Sequence, residues 1–585
     1  MTFPDFPPQV DPRKDIYKPL PLTADVVDWK TIDATDISTR VLRDIAEILS
    51  QDKNDSGDLE VLFRKEGSFW RDTLALTAHI RTFSGPSIIG GTLRQLGDAR
   101  GVNGFILTKK TSLVVSASPE TSWVDCSFTF RTAEPQARCQ GKMMLVPEDD
   151  SDGTVRWKIW SLATMLLEFE GLPEDVGRLT SPSPAIPAAS TALETDVLIV
   201  GAGNAGLVQA ARLKALGIDH LVVEKNARAG DNWSNRYDYL RFHIGKNYCQ
   251  VPYLPYPRAT NYMLTRNDLR DHMQRFADEF DLDKRSTSYD DASRTWAVGT
   301  MILATGLGYS VPRVPEIADK ERFAGPHMHS HHFRNGAHLK AQGVRSVIVD
   351  CHSVGLQVTM VQRSPILIIP MAYYEDPQGL GVFDYVSTST GDAMFMMGAL
   401  QVGGELSRQG HAARARAEPN RYKAAIEAGF RVKDCTQTDL LGLLLTSAGR
   451  FMVDMERGAM DLIASGVVKV VPGSPAAHTS SGLQIDDGRC VEGDAIVWCT
   501  GYNTDAREEL AGILGDGWEK IAAKLEATMG LDVEGELRGM YKRIERQERL
   551  WILGGGTAQH RWYSRMIALQ VQGVLEGILP DAFRD

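Results

Sequence analysis

The sequence of 585 residues predicts an α/β protein with a smaller α+β domain in front of it. Three observations carry that expectation. Residues 196–206 read Asp-Val-Leu-Ile-Val-Gly-Ala-Gly-Asn-Ala-Gly, an apolar strand running into Gly201-x-Gly203-x-x-Gly206. A stretch of small residues and prolines, Ser181–Ser190, precedes it. Before that stretch the apolar residues come in short alternating runs, and from residue 193 onward strand and long-helix patterns alternate.

Taken in order, residues 1–55 form an N-terminal extension, polar and Pro-rich at first and then weakly helical over Val41–Leu49. Residues 56–178 carry the runs Ser112–Ser116, Trp123–Phe130 and Val155–Ile159, bounded by turn residues such as Glu148–Gly153. These predict an antiparallel sheet with helices before it. Residues 179–192 are a Pro-rich linker, and residues 193–585 are the α/β region. Through Phe69-Trp70-Arg71-Asp72, Arg81-Thr82-Phe83 and Trp157-Lys158-Ile159-Trp160 the front domain resembles an NTF2/SnoaL-like cone over roughly residues 60–170. The resemblance implies a pocket for a small molecule or a partner. The same aromatics at alternate positions also suit plain core packing in a domain that only docks or dimerises.

Composition narrows the function classes. The net charge of −11 opposes binding to nucleic acid or to an anionic membrane. Seven cysteines with no C-x-x-C pair suggest neither a disulfide framework nor a zinc knuckle, and a reducing compartment is expected. Met1–Pro8 lacks the basic start and apolar run of a signal peptide. The apolar runs Leu440–Thr446 and Pro365–Ala372 are far too short to span a membrane. The expectation is a cytoplasmic protein.

The glycine motif has a full set of companions. Gly201 permits a tight turn, Gly203 lets backbone approach a pyrophosphate, and Gly206 lets the following helix pack closely on the strand. The helix is expected over Ala205–Leu216 with Gly217 as its C-terminal cap, followed by a strand over His220–Val223. Glu224 ends that strand, where a carboxylate suits a ribose 2′-hydroxyl and repels a 2′-phosphate. This Rossmann-like unit therefore wants FAD or NAD, not NADP. Three later features favour FAD: Gly230-Asp-Asn-Trp233, the strand Met301–Ala304 ending in Thr305-Gly306, and its echo Asp494–Cys499 ending in Thr500-Gly501.

Over residues 193–580 the chain resembles the class B flavin-dependent monooxygenases of the flavin-containing and YUCCA-like kind. The most specific element is Phe323, Gly325, His329 and Phe333, at the spacing F-x-G-x-x-x-H-x-x-x-[YF]. Arg236–His243, Leu254–Pro257, Val358–Arg363 and Trp551–Gly556 with Arg561 are also family-like. The resemblance implies two dinucleotide-binding domains and an enzyme that uses FAD and NADPH. NADPH reduces the flavin, which captures O2 as a C4a-(hydro)peroxide and oxygenates a small organic substrate. FAD would be held by Gly201, Gly203, Gly206, Glu224, Gly230, Trp233, Thr305 and Gly306, with Thr500 and Gly501 nearby. His243 falls where relatives place a polar residue near the reactive edge; a buried histidine bonded to backbone is the other reading. The pairing with a cone resembles fungal proteins of secondary metabolism, and a homodimer is left open. His327, His329, His331 and His332 lack a placed carboxylate or thiolate set, so no metal is expected.

The second dinucleotide site looks shortened. The opening strand Val347–Val349 is followed not by a glycine loop but by Asp350–Gln357 and then the strand Val358–Val361. Eight residues join two would-be parallel strands, where a crossover needs about a dozen. Arg363 remains as the NADPH contact, placed to meet a 2′-phosphate. A second shortening is expected between Asp281 and Met301, leaving only Ser288–Val298 of a longer β-meander. Three alternatives stay open: an FAD oxidase or reductase with another donor, a non-catalytic flavin-binding remnant, and a chain whose working part is the cone.

Overall fold

The front of the chain folds around alternation. A computed structural model describes residues 5–51, 57–149, 153–183, 192–282, 286–288, 295–306, 311–348, 355–447, 451–454, 458–507, 510, 513, 518–545 and 547–584. Asp33 caps helix α1 (Ala34–Ser50) by accepting from the amides of Thr35 and Asp36, so the helix begins seven residues before the stretch expected at Val41. Its buried stripe is Ile37, Val41, Leu42 and Ile45. Strands β1 (Phe69–Thr73) and β2 (Ile80–Ser84), helix α2 (Pro86–Arg100) and strands β3 (Asn103–Leu107), β4 (Leu113–Ser116), β5 (Ser122–Ala133), β6 (Gln136–Asp149) and β7 (Val155–Phe169) follow. They make one seven-stranded sheet in the order β2-β1-β7-β6-β5-β3, with β4 also on β5. The pairings are antiparallel except β1 with β7. α1 lies on β3 and β5, so residues 34–50 share the core of this sheet. That core is filled by side chains: Trp70 stacks on Phe83, and Phe105, Phe128 and Phe130 pack together. Asp72, wholly buried, accepts from the Thr77 and Thr164 hydroxyls and from two amides.

The sheet edge β1–β2 is sealed by the far end of the chain. Arg71 and Glu536, about 5% and 6% exposed, form a two-pronged ion pair at 2.6 and 2.9 Å. The Thr82 hydroxyl donates to the same carboxylate. Arg81 grips Glu534 and donates to the Phe583 carbonyl. Burial alone would raise the Glu536 carboxyl, but Arg71 beside it holds it below its ordinary range. Removing one partner of such a pair leaves a buried charge, so Arg71→Met is expected to lower stability by about 3–5 kcal/mol. Urea unfolding of the full chain measures this.

Buried histidines give the stability a pH dependence. Burial, with Lys542 nearby, pushes the His79 imidazole down to about 3, and burial with Arg275 nearby pushes His272 down to about 4. Both stay neutral when folded and gain protons when unfolded. Their contribution is complete above pH 6.5 and is lost as pH falls toward those values, at roughly 1–2 kcal/mol each between pH 6.5 and 5. Urea midpoints that stay level over that interval would contradict this.

The α/β region is built on two parallel sheets. The first contains β8 (Ala192–Val200), β9 (His220–Glu224), β12 (Ser286–Ser288), β13 (Thr295–Leu303) and β24 (Leu550–Ile552), in the order β12-β9-β8-β13-β24. Helices α3 (Asn204–Leu216), α4 (Arg266–Glu279) and, after β24, the long C-terminal helix Thr557–Leu575 belong to this half, and α3 packs against the last of these. Between α3 and β12 lies the small pair β10 (Arg241–Gly245) and β11 (Met263–Thr265). The second sheet has the order β14-β23-β15-β16-β19, from β14 (His327–His329), β15 (Ser346–Ile348), β16 (Gln357–Gln362), β19 (Val468–Pro472) and β23 (Ala495–Trp498). The remaining strands form the pair β17 (Leu367–Pro370) with β18 (Phe451–Asp454) and the three-stranded β20 (Pro475–Thr479), β21 (Gly482–Ile485), β22 (Cys490–Glu492).

One expectation is corrected here. The described ends of Ser288–Val298 do not pair as an antiparallel meander. They are the end of β12, parallel to β9, and the start of β13, parallel to β8, because they extend the central sheet at two different places. Residues 289–294 lie outside the described residues, as do 184–191 of the Pro-rich linker. Ser183, at the near end of that linker, is tied to Asp281 through its amide and hydroxyl. Among the described residues no helix is long and apolar enough to cross a membrane.

Candidate dinucleotide site

The glycine turn sits at the carboxyl end of the first sheet, where open parallel sheets bind ligands. Gly201 has φ +106° and donates its amide to the Val223 carbonyl. A Cβ there would meet the Ala304 carbonyl oxygen at 2.6 Å, and one on Gly206 would lie 1.8 Å from the Gly201 oxygen. Protein atoms therefore demand glycine at both positions. Gly203 differs. Its φ of −78° suits any residue, and the atoms nearest to a Cβ there belong to the Asn232 side chain, at 3.7 Å and beyond, an ordinary contact. The protein itself leaves that approach open, as a pyrophosphate needs. Gly203 also caps α3 without a side-chain hydrogen bond, so the first helical amides face the same space. At the other end Gly217 has the left-handed conformation expected of it.

Glu224 ends β9 beside this turn. One carboxylate oxygen accepts from the Ala202 amide at 2.6 Å, and the other accepts from the amide and side chain of Asn226. The oxygen bonded to the Ala202 amide keeps a further lone pair for a hydroxyl. The loop Gly230–Trp233 folds over the turn: the Gly230 amide donates to the Ala202 carbonyl, and the Trp233 indole donates to Asn204 Oδ1 at 2.6 Å. Gly230 is left-handed, and a Cβ would press on Met273 at 2.9 Å. Two buried polar atoms here, Asn204 Nδ2 and Thr305 Oγ1, have no partner among the described residues. Unpaired buried groups are costly, and a bound dinucleotide would satisfy them. The residues present therefore fit the cofactor that the sequence implies. Gly306 follows Thr305 in a left-handed conformation with open space around it.

A third glycine turn, Gly554-Gly555-Gly556, was not among the expected site residues. The Leu553 amide donates to the Leu303 carbonyl, which sets this turn beside Thr305-Gly306. The C-terminal helix then starts at Thr557, so its positive dipole end faces the same edge. The signal was present: an apolar strand, glycines and a helix repeat the grammar of residues 196–206.

Other expected residues lie apart from the turn. Thr500 and Gly501 follow β23 in the second sheet; they bond to Arg313 in the segment between the sheets. The adjacent Tyr502 hydroxyl accepts from Arg236, three residues beyond Trp233. His243, in β10, is lodged near the rings of Tyr374 and Phe451 at 6.0 and 6.2 Å, and burial lowers its pKa, so the ring is neutral. Among the described residues no backbone group bonds this ring, contrary to the alternative reading of it as a backbone-bonded histidine. Arg363 is exposed just past β16, and its carbonyl accepts from Arg431, a second cation that the sequence pattern did not single out. Gln362 fixes Arg431 by bonding both its amide and its carbonyl. His327 faces His478, His329 and His331 face Tyr502, and His331 also meets His332; no group of three potential ligands is found among the described residues.

The short connection after β15 is evident from the pairing. β15 and β16 are parallel neighbours, with Ser346 opposite Gln357, and residues 349–356 join them. Of these, 349–354 lie outside the described residues; they are Val349 of the expected strand and the first five residues of the expected connection Asp350–Gln357. Eight residues are fewer than a crossover helix requires.

Comparison with known proteins bears on this site. Residues 194–233 match the family described as FAD binding domain. The chain is 26% identical over 347 residues to indole-3-pyruvate monooxygenase YUCCA8 of Oryza sativa subsp. indica, covering 53% of this chain and 76% of the relative. It is 25% identical over 346 residues to probable indole-3-pyruvate monooxygenase YUCCA1 of Arabidopsis thaliana, covering 54% and 77%. Among solved structures, a flavin-containing monooxygenase from Stenotrophomonas maltophilia aligns at TM-score 0.42 and 18% identity, over 65% of this chain and 99% of that one. An oxidized steroid monooxygenase bound to NADP aligns at TM-score 0.42 and 17% identity, over 66% and 85%. The chain thus carries an FAD-binding segment at residues 194–233 and is similar over about half its length to curated indole-3-pyruvate monooxygenases.

Proposed function

We propose that the chain is an FAD-dependent monooxygenase that draws on NADPH and places one oxygen atom of O2 on a small organic substrate. The observation that carries this is the glycine turn: two glycines locked by protein atoms, a third that the protein leaves open, and two buried polar atoms awaiting partners beside it. The matched FAD binding domain and the monooxygenase relatives support it. Bound FAD supplies hydride acceptance, oxygen activation and oxygen transfer. The protein's part is position. Gly203 and the first amides of α3 bind the pyrophosphate, and Glu224 holds the ribose. Trp233 steers Asn204, and Thr305 offers its hydroxyl. The neutral ring of His243 supplies a hydrogen bond at the reacting edge, and Arg363 with Arg431 meets the NADPH 2′-phosphate. An aromatic 2-oxo acid is the first substrate class to try, from the relatives' names. The front domain reads as an NTF2/SnoaL-like cone whose interior is filled by its own aromatics, which supports a docking role.

A second reading is an FAD reductase or oxidase with another electron donor, favoured by the eight-residue connection from β15 to β16. The test uses the full chain loaded with FAD, with NADPH, indole-3-pyruvate and 18O-labelled dioxygen. One labelled oxygen in the product supports the monooxygenase. Oxygen consumed as hydrogen peroxide, with an alternative donor and no label in any product, supports the second reading.

A further inference from the structure

We infer that Tyr541 is a positioning residue for the Gly554–Gly556 turn at the flavin site, and that the front domain sets it from behind through Arg71 and Tyr563. This rests on the FAD reading above. Tyr541 is about 1% exposed and has φ +70°, a conformation a tyrosine keeps only when its surroundings over-determine it. Here they do. Its amide donates to the Ile552 carbonyl at the end of β24, and its carbonyl accepts from the Gln570 side chain. Its hydroxyl donates to the Gly554 carbonyl at 2.8 Å. Gly555 has φ +91°, and a Cβ there would lie 2.7 Å from the same hydroxyl oxygen. The phenol thus shapes a turn whose preceding residue, Leu553, bonds to Leu303 beside Thr305-Gly306.

The other face of the ring meets Tyr563 of the C-terminal helix, stacked at 3.7 Å between centroids and 3° between planes. The Tyr563 hydroxyl accepts from Arg71 Nη2 at 3.4 Å, and the same guanidinium is paired with Glu536 and donates to the Met396 carbonyl. Arg71 and Thr82 belong to β1 and β2, so an unbroken line of buried contacts joins the front sheet to the glycine turn. Packing alone would need the two rings. It would not need two hydroxyls, one bonded to the turn and one bonded to the front domain.

Phenylalanine variants separate these roles, because they keep the stack and remove only the hydroxyls. For the full-length chain stripped of FAD, three readouts are compared: FAD affinity by flavin fluorescence, the position of the bound flavin's visible band, and melting temperature. Tyr541→Phe is expected to weaken FAD binding by about tenfold and to shift the band. Tyr563→Phe and Arg71→Lys, which keeps the charge but loses the fork, should act in the same direction with smaller effect. The double variant Tyr541→Phe/Tyr563→Phe should fall short of the product of the two single effects. A Tyr541→Phe chain with unchanged FAD affinity and band, whatever its melting temperature, overturns the positioning role. Independent effects of the Tyr541 and Tyr563 changes overturn the front domain's part. A wild-type chain that takes up no FAD overturns the function reading and this inference with it.

Discussion

Gly203→Ala is expected to fold and melt like the wild type and to bind FAD roughly 10- to 100-fold more weakly, the effect of about 1–3 kcal/mol of overlap. The reason lies in what surrounds each glycine of the motif. At Gly203 the backbone is ordinary and a methyl group meets nothing closer than 3.7 Å within the protein. Its only cost falls on what approaches the turn from outside. The companion variants behave differently. Gly206→Ala drives a carbon into the Gly201 carbonyl oxygen, and Gly201→Ala combines a strained φ with the Ala304 oxygen. Both should lower the melting temperature as well as FAD affinity. Equal thermal damage from all three would mean that Gly203 serves the fold, and the dinucleotide reading of the open approach would fail.

The second large effect concerns the hydride donor. Arg363→Ala is expected to raise KM for NADPH by about 10- to 100-fold, as loss of a charge-assisted bond to a phosphate does, while KM for NADH changes by less than about twofold. Arg363 follows the carboxyl end of β16, and Arg431 is fixed beside it by Gln362. Only eight residues join β15 and β16, so on the proposed reading these two cations would carry most of the recognition that helix amides usually share. Arg431→Ala should therefore act in the same direction. Parallel losses with NADPH and NADH would show that the arginines do not read the 2′-phosphate.

Much of this site was legible in the sequence because its chemistry is local. The strand, turn, helix and acid of residues 196–224 follow one another, and each glycine there has one physical reason to be glycine. The same locality exposed the short connection Asp350–Gln357 between the strands expected at Val347–Val349 and Val358–Val361. What the sequence hid depends on contacts between distant segments. Arg71 looked like part of an aromatic cone motif, yet its partner is Glu536, far along the chain. Arg431 carries no motif and becomes notable only when Gln362 sets it beside Arg363. Gly554–Gly556 lies in a family-like stretch whose role the sequence leaves open, because only sheet pairing places it next to Thr305. Ser288–Val298 misled for a related reason: the resemblance implies what is left of a β-meander, and only pairing with β9 and β8 shows that its described ends belong to two parallel strands.

The most direct measurement is the visible spectrum of the FAD-loaded chain as NADPH is added without oxygen. The account expects the flavin band to bleach, with saturation toward the millimolar end of the usual range because only eight residues join β15 to β16. A flavin band that NADPH leaves unchanged and that dithionite then bleaches would contradict NADPH-driven oxygenation by this chain, while leaving the FAD site intact.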